Sequence, residues 1–232
     1  MPVSDAVVLP GGAGVARRRI GAARSPSPST LSRHDLSRAA GEVQSCAGLA
    51  LFYATRDGQA RLVAERIAAR LAETGLGVTP HDLAAAFPVP AACAAAALIV
   101  VVAAVRYGRH LPEAERFLAA YRVLPRLPPL VFVSVNLTAR KPGKDTVEGN
   151  RYLRKTLTRH RLEPALAAAV AGRLDYPRYG WFDRQMIRLI MKLTGGPTDP
   201  QTRVEFTDWA AVDVIGARIA ALHAPVPGQG VI

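Results

Sequence analysis

The sequence predicts an α/β domain with a doubly wound, five-stranded parallel sheet and an inserted amphipathic helix after the fifth strand. Two observations carry this prediction. Short apolar runs alternate with segments whose apolar residues recur at the helical period. Three of these runs are followed by polar loops, at residues 55–59, 106–110 and 136–142, called here the first, second and third loops. Ligands of such sheets sit beyond the carboxyl ends of the strands, so the loops mark a candidate site.

The composition combines a globular core with an excess of basic side chains. Lys and Arg number 30 against 18 Asp and Glu in 232 residues, which gives a formal net charge of +12. This balance favours an acidic partner, namely nucleic acid, an anionic lipid surface or a multiply charged small molecule. No nucleic-acid reading element is recognisable, so no nucleic acid is expected. The two cysteines and five histidines show no metal-ligand spacing, so no metal is expected.

The two ends of the chain are expected to lie outside the domain. Residues 1–46 are rich in Gly, Ala, Arg, Ser and Pro without a regular period, which predicts a disordered basic extension. Their basic run, residues 17–19, is not followed by the apolar stretch of a secretory signal, which favours a location inside the cell. The domain is expected over residues 47–224, and residues 225–232 form a tail.

The first regular stretch, residues 48–61, predicts a strand, a loop and the start of a helix. The apolar run Leu49 to Ala54 stops at the first loop, and an amphipathic pattern follows. Such a loop directs backbone N–H groups and the positive end of a helix dipole at one point, which suits a phosphate. An ordinary turn with a good N-cap would show a similar pattern. The hydroxyl, amide and guanidinium groups of the loop favour the phosphate.

Further elements follow in order along the chain. Strands are expected at residues 78–83, 98–105, 130–135 and 166–174. Helical faces are expected at residues 61–73 and 117–124, and Thr207 is expected to cap a last helix. Residues 83–105 are uncharged and long enough to span a bilayer. Pro88, Pro90 and the many alanines favour a connection to a buried strand instead.

The loops and the segment after the fifth strand carry a series of short motifs. In chain order these are Thr55-Arg56-Asp57-Gly58-Gln59, Arg106-Tyr107-Gly108, Ser134-Val135-Asn136-Leu137, Ala139-Arg140-Lys141-Pro142, Tyr176-Pro177-Arg178-Tyr179, Trp181-Phe182-Asp183-Arg184, Leu189-Ile190-Met191-Lys192 and Thr207-Asp208-Trp209. In this order, over residues 48 to about 222, the chain closely resembles the flavodoxin-like, menaquinone-dependent protoporphyrinogen IX dehydrogenases. The motifs from Tyr176 onward are far more specific than a generic flavodoxin loop.

The resemblance implies an FMN cofactor held by the three loops. The phosphate would lie in the first loop, against Thr55, Arg56, Asp57, Gly58 and Gln59. The isoalloxazine ring would lie between the second and third loops, bordered by Arg106, Tyr107, Gly108, Ser134, Val135, Asn136 and Leu137.

The chain departs from the family pattern at four positions. Ala54 and Ala60 stand where the phosphate loop usually offers hydroxyls, and Val102 and Ala104 stand where the family has glycine and serine. A hydrogen bond to a charged group contributes about 1.5 to 3 kcal/mol, so lost hydroxyls weaken FMN binding unless other donors compensate. Backbone N–H groups, Arg56 and Gln59 are the candidate replacements.

Residues 174–204 do not belong to a minimal flavodoxin-like fold, and they contain an amphipathic helix. One face carries Phe182, Met186, Leu189, Ile190 and Leu193, with Trp181 at its start and Arg184, Arg188 and Lys192 opposite. A helix lying in a membrane interface needs such a pattern. A helix that packs on its own domain shows it too. The resemblance, with its lipid-soluble acceptor, favours a surface that meets the membrane or the substrate.

The function implied by the resemblance is the FMN-dependent oxidation of protoporphyrinogen IX to protoporphyrin IX in heme biosynthesis, with electrons passed to menaquinone or another quinone. It implies a cytoplasmic enzyme attached peripherally to the inner, anionic face of the cell membrane. Arg140, Lys141 and Arg178 are candidate anchors for the substrate propionates, since their loops are expected nearest the ring. No catalytic acid or base is assigned; His110 of the second loop could relay protons, but a lone loop histidine is more often exposed. Two alternatives are a flavodoxin-type electron carrier and a binding module that has lost FMN.

Overall fold

The computed structural model describes residues 48–88, 90–193 and 195–223, so the expected N-terminal extension and C-terminal tail lie outside the described residues. The strands are β1 (Leu49–Ala54), β2 (Pro80–Asp82), β3 (Leu98–Arg106), β4 (Arg109–His110), β5 (Leu130–Val135), β6 (Leu166–Val170), β7 (Arg173–Asp175) and β8 (Arg203–Glu205). The helices are α1 (Gln59–Ala72), α2 (Pro90–Ala95), α3 (Pro112–Tyr121), α4 (Arg151–His160), α5 (Trp181–Leu193) and α6 (Trp209–His223).

Five parallel strands form the main sheet in the order β2-β1-β3-β5-β6. The strand order reverses between β1 and β3, which makes the carboxyl ends of these two strands the topological switch point. The short strand β4 folds back antiparallel on the end of β3. The predicted doubly wound α/β fold is confirmed.

The central strands are buried on both faces, which explains their continuous apolar runs. One face packs with α1 and α6 through residues such as Val100, Ile67 and Ile219. The opposite face packs with α3 and α4 through residues such as Phe132 and Leu118. In the described part of the chain, no helix is long and apolar enough to cross a membrane. Residues 83–105 contain the short helix α2 and the buried strand β3 instead of a spanning helix.

Two expectations after the fifth strand were wrong. The predicted strand at 166–174 ends at Val170, and β7 then pairs antiparallel with β8 in a separate ribbon. The last helix begins at Trp209, and its cap is Asp208, whose Oδ1 accepts from Ala211 N at 3.0 Å. Thr207 does not cap it, because its hydroxyl donates to the Ala171 carbonyl at 2.8 Å.

Candidate functional site

A cleft of about 300 Å³ lies where the three loops meet at the carboxyl ends of β1, β3 and β5. Most residues expected to contact a cofactor line it, namely Thr55, Asp57, Gln59, Arg106, Tyr107, Gly108, Val135, Asn136 and Leu137. Arg56, Gly58 and Ser134 are not part of this lining. The inserted segment forms another wall of the cleft through Tyr179, Ile187, Ile190 and Met191.

The first loop leads into α1 without a side-chain cap. Gly58 occupies the cap position with φ of 89°, and its N–H donates to Thr55 Oγ1 at 3.0 Å. A left-handed backbone at this position favours glycine. The first turn of an uncapped helix presents N–H groups that lack intrahelical partners, together with the positive end of the dipole. This end of the cleft therefore suits an anion.

The Gln59 side chain is buried and tethered to the chain that returns from the inserted segment. Its Nε2 donates to Glu205 Oε1 and to Thr207 Oγ1, both at 2.8 Å. A carboxylate only accepts hydrogen bonds, so the amide nitrogen must face Glu205. The remaining Gln59 Oε1 is buried without a partner among the described residues. A ligand hydroxyl in the cleft would satisfy this oxygen.

Arg106 joins the first loop, the second loop and the inserted segment. Its guanidinium donates to Asp57 through Nη1 and to Asp183 of α5 through Nη2. It also lies over the Tyr179 ring, 5.3 Å from the ring centroid. Two carboxylates already neutralise this cation, so Arg106 is a weak candidate for a free substrate anchor.

The second loop is the turn of a two-residue hairpin between β3 and β4. Tyr107 has φ of 50° and Gly108 has φ of 77°, the left-handed pair that such tight turns require. The turn projects the exposed Tyr107 ring at the cleft. A non-glycine residue in this conformation is uncommon and marks a position held by its surroundings.

The third loop is anchored by a buried chain of polar side chains. Asn136 Nδ2 donates to Ser134 Oγ at 3.0 Å, and Asn136 Oδ1 accepts from Asn150 Nδ2 at 3.1 Å and from Ala139 N at 3.2 Å. Ser134 Oγ also lies 2.8 Å from His110 Nε2. Ser134 and Asn136 are therefore engaged with the protein, and backbone groups of the third loop remain to border a ligand.

His110 is buried, which contradicts the expectation of an exposed loop histidine. Only 3% of the residue is exposed, and its Nδ1 lies 2.9 Å from Thr156 Oγ1 of α4. Burial lowers the pKa of His110 to about 4. The imidazole is thus neutral at pH 7, with both ring nitrogens in hydrogen bonds.

The inserted segment has a small core of its own. Leu174, Tyr176, Tyr179 and Met191 are buried together, and Leu137 of the third loop packs against them. Burial raises the pKa of the Tyr179 hydroxyl. The segment is therefore attached to the cleft by apolar contacts as well as by the ion pair between Arg106 and Asp183.

Helix α5 engages two of its basic residues, Arg184 and Arg188, with the protein and leaves much of its apolar surface exposed. Arg184 donates to the carbonyls of Tyr176 and Tyr179, and Arg188 donates to that of Thr198. The guanidinium groups of Arg184 and Arg188 are therefore engaged with the protein, whereas Lys192, the third residue of the predicted basic stripe, is exposed. The apolar residues Trp181, Phe182, Leu189, Ile190 and Leu193 are exposed, while Met186 is half-buried.

Basic residues of the third loop and of the chain directly after it lie along the cleft. Arg140, Lys141 and Lys144 line it, as does Arg173 of β7. Arg140 also donates to the Leu137 carbonyl at 2.7 Å, so part of its hydrogen-bonding capacity is used within the loop. Arg178 is exposed and is not part of the lining.

The residues present fit FMN. The uncapped start of α1 suits a phosphate, the buried Gln59 Oε1 suits a ribityl hydroxyl, and the second and third loops flank the apolar part of the cleft. All four departures contact the domain cores, but only Ala60 and Ala104 also line the cleft, whereas Ala54 and Val102 do not. Ala60 and Ala104 are thus the positions where a lost hydroxyl bears directly on the cofactor.

Sequence reasoning missed two groups of site residues. Asn150 and Thr156 complete the buried chain of hydrogen bonds behind the third loop. They were not identified because they lie at the start of α4 and within it, among several basic residues. Lys144 and Ile187 line the cleft although they carry no motif of their own. Residues 138–161 carry eight Lys and Arg side chains, and this concentration of charge directly after a strand was the signal that could have pointed to Lys144.

The chain matches known proteins over most of the described domain. The family model described as "Flavodoxin domain" matches residues 50–201. Protoporphyrinogen IX dehydrogenase (quinone) of Escherichia coli strain K12 is 38% identical over 173 residues, which cover 74% of this chain and 94% of that protein. The protein of the same name from Leishmania major is 36% identical over 178 residues, which cover 76% of each chain.

Proposed function

Because the chain belongs to the flavodoxin-domain family of the quinone-dependent protoporphyrinogen IX dehydrogenases, we propose that it oxidises protoporphyrinogen IX to protoporphyrin IX and passes the electrons to a quinone. The domain binds FMN. When bound, FMN takes up two electrons in each of three oxidation steps and passes them on. The observation that best supports this function is the shared cleft, with polar loops on one side and the apolar wall of the inserted segment on the other.

In this proposal each of the three loops binds a different part of FMN. Thr55 and the first N–H groups of α1 hold the phosphate, and the exposed Arg56 of the same loop approaches it from outside the cleft lining. Asp57 keeps Arg106 in place at the edge of the phosphate site. Gln59 accepts a ribityl hydroxyl through Oε1. The second loop and the backbone of the third loop border the ring, which excludes water from its faces.

The substrate is a flat apolar macrocycle with two propionates, and the cleft offers a surface for each part. Ile187, Ile190 and Met191 supply apolar contacts beside the ring position. We propose Lys141 as the first propionate anchor, because it lines the cleft and is exposed. Arg140 assists from the same loop, and Arg178 is the remaining candidate.

Separate lysine and arginine variants test the anchor. Lys141→Ala should raise KM for protoporphyrinogen IX about tenfold, since charge-assisted hydrogen bonds contribute about 1.5 to 3 kcal/mol. FMN affinity should not change. Arg178→Ala is the matched comparison outside the cleft lining. A raised KM in Arg178→Ala with an unchanged KM in Lys141→Ala would transfer the anchoring role to Arg178.

We also propose that the exposed face of α5 contacts the anionic inner face of the cell membrane, from which menaquinone reaches the cleft. Trp181 is 74% and Leu193 is 77% exposed, whereas Met191 and Ile187 of the same helix face the protein. Exposed aromatic and aliphatic side chains on one helix suit a membrane interface. Ile190 supports a path from the membrane to the cleft, because its side chain is exposed and also lines the cleft.

Vesicle flotation tests the membrane contact. Leu193→Ser should lower the bound fraction on vesicles that contain anionic phospholipid, because it removes apolar surface from the interface. Val123→Ser is the matched control, since Val123 is 82% exposed on another part of the domain. Equal binding of both variants and the parent would remove α5 from the contact.

The activity itself is tested by anaerobic turnover of FMN-loaded protein with protoporphyrinogen IX. The proposed function predicts fluorescent protoporphyrin IX in an amount set by the added quinone. An electron carrier would hold FMN but form porphyrin no faster than the buffer does. A binding module without cofactor would not retain FMN at all. Either result would replace the proposed function.

A further inference from the structure

His110 is a buried titratable residue that the proposed function does not use. It lies in β4, directly after the hairpin turn of the second loop, and its ring packs edge-on against Phe132 of β5 with centroids 5.0 Å apart. It does not line the cleft. The residue therefore ends the second loop without lining the cleft that this loop borders.

The two ring nitrogens of His110 connect three elements. Nε2 lies 2.8 Å from Ser134 Oγ at the end of β5, and Nδ1 lies 2.9 Å from Thr156 Oγ1 of α4. Ser134 Oγ in turn accepts from Asn136, the first residue of the third loop. The chain of hydrogen bonds thus runs from the second loop to the third without leaving the protein interior.

The pattern of donors explains why an imidazole stands at this position. Ser134 Oγ accepts from Asn136 Nδ2, and its hydroxyl hydrogen can donate to His110 Nε2. In the neutral tautomer that carries its proton on Nδ1, the ring donates from Nδ1 to Thr156 Oγ1. A buried ring that accepts at one nitrogen and donates at the other satisfies both hydroxyls, and an apolar side chain of the same size would satisfy neither.

We propose that His110 is a positioning residue that sets the spacing between the second and third loops, and thereby how tightly and at what potential the flavin ring is bound. The inference rests on the placement of FMN given above. The second loop is connected to His110 by the antiparallel pairing of Arg106 with Arg109 and of Val105 with His110. The third loop is connected to it through Ser134 and Asn136. Both walls of the ring site therefore depend on one buried side chain.

The experiment compares His110→Phe, His110→Gln and the control Tyr121→Phe. Tyr121 is buried, and its hydroxyl donates to the Pro128 carbonyl at 2.6 Å, near the amino end of β5 and away from the cleft. FMN dissociation constants, the midpoint potential of bound FMN and thermal unfolding of the FMN-free protein are measured for each. None of these readouts involves porphyrinogen or quinone, so they remain valid if the proposed reaction is wrong.

His110→Phe should raise the FMN dissociation constant about tenfold, the change that corresponds to about 1.4 kcal/mol, and should shift the midpoint potential. His110→Gln should recover part of both effects, since an amide can donate and accept. Tyr121→Phe should lower stability without changing either flavin property. Ser134→Ala breaks the same chain of hydrogen bonds at β5, and it replaces His110→Phe as the test if that variant does not fold. The proposal would be overturned if the His110 and Ser134 variants changed the FMN dissociation constant and the midpoint potential no more than Tyr121→Phe does.

Discussion

The amide group of Gln59 has its nitrogen held by Glu205 and Thr207, while its oxygen is buried without a partner among the described residues. We propose above that this oxygen accepts from an FMN hydroxyl. Gln59→Met keeps the length of the side chain and removes both functions. We expect FMN affinity to fall about tenfold, because one hydrogen bond and the tether are lost together.

Fluorescence titration with FMN measures the effect of Gln59→Met. Gln201→Met is the control, because Gln201 is exposed in the inserted segment and does not line the cleft. An affinity for FMN that is equal in both variants would show that Gln59 Oε1 does not contact the cofactor.

His110 makes the stability of the domain depend on pH on the acid side. The pKa of His110 is lowered to about 4 by burial, whereas an unfolded histidine titrates near 6.5. Between these values the unfolded chain binds a proton that the folded chain does not, so the free energy of unfolding falls as pH decreases. The full loss by pH 4 is about 3 kcal/mol. Above pH 6.5 this contribution is constant.

Urea unfolding at pH 7.5 and pH 5 of the parent and of His110→Gln isolates this contribution. Glu115 of α3 and Arg159 and His160 of α4 are the charged and titratable groups that act on His110, and they are common to both proteins. Their effects therefore cancel in the comparison. If the free energy of unfolding of His110→Gln decreases between pH 7.5 and pH 5 as much as that of the parent, the acid sensitivity belongs to another group.

At the residue scale, the sequence could identify the loops but not the partners of their side chains. Thr55 and Gly58 are near in sequence, and the turn they form follows from the motif. Gln59 and Thr207 are 148 residues apart, and no local pattern indicates their hydrogen bond. The exposed position expected for His110 was wrong for the same reason, since Ser134 and Thr156 that surround it come from other elements.

The helix α5 is fastened at its start by the ion pair between Asp183 and Arg106. Asp183→Asn leaves the size of the side chain unchanged and removes the charge. Hydrogen bonds to charged groups contribute about 1.5 to 3 kcal/mol, so local opening of α5 should become about tenfold more frequent. Amide hydrogen exchange in α5 should accelerate accordingly, while exchange in β3 and β5 stays the same.

Asp199→Asn provides the control for Asp183→Asn, since Asp199 is exposed in the same segment and its carboxylate accepts from the nearby backbone N–H of Gln201. Exchange in α5 that is equally slow in parent and Asp183→Asn would mean that the apolar cluster around Met191 and the hydrogen bonds of Arg184 and Arg188 hold the helix without the ion pair.

At the element scale, most of the fold could be predicted because burial on two faces leaves continuous apolar runs, as in β3 and β5. The antiparallel ribbon of β7 and β8 could not be predicted from the sequence. Leu174 continues the apolar pattern of β6, and only its pairing with Val204, thirty residues away along the chain, ends the main sheet at Val170.

At the scale of the whole molecule, the net charge of +12 adds a long-range attraction to any anionic surface. Exposed Arg151, Arg154 and Lys155 of α4 contribute to it, and Lys141 and Lys144 extend it to the cleft. Salt screens exposed charges, with a Debye length of about 10 Å at 0.1 M. Affinity for anionic vesicles should therefore fall about tenfold between 50 and 200 mM salt.

Vesicles of neutral phosphatidylcholine are the control for this prediction, because they lack the charge that the protein attracts. Binding to anionic vesicles that does not respond to salt would show that apolar contacts of α5 alone hold the protein to the membrane.

The most direct measurement is the visible spectrum of the FMN-loaded protein during one anaerobic cycle. The account predicts that the oxidised flavin bands bleach when protoporphyrinogen IX is added and return when a quinone follows, because one cleft serves the cofactor and both reactants. Flavin bands that remain unchanged on addition of protoporphyrinogen IX would contradict the account, as would a reduced flavin that quinone does not reoxidise.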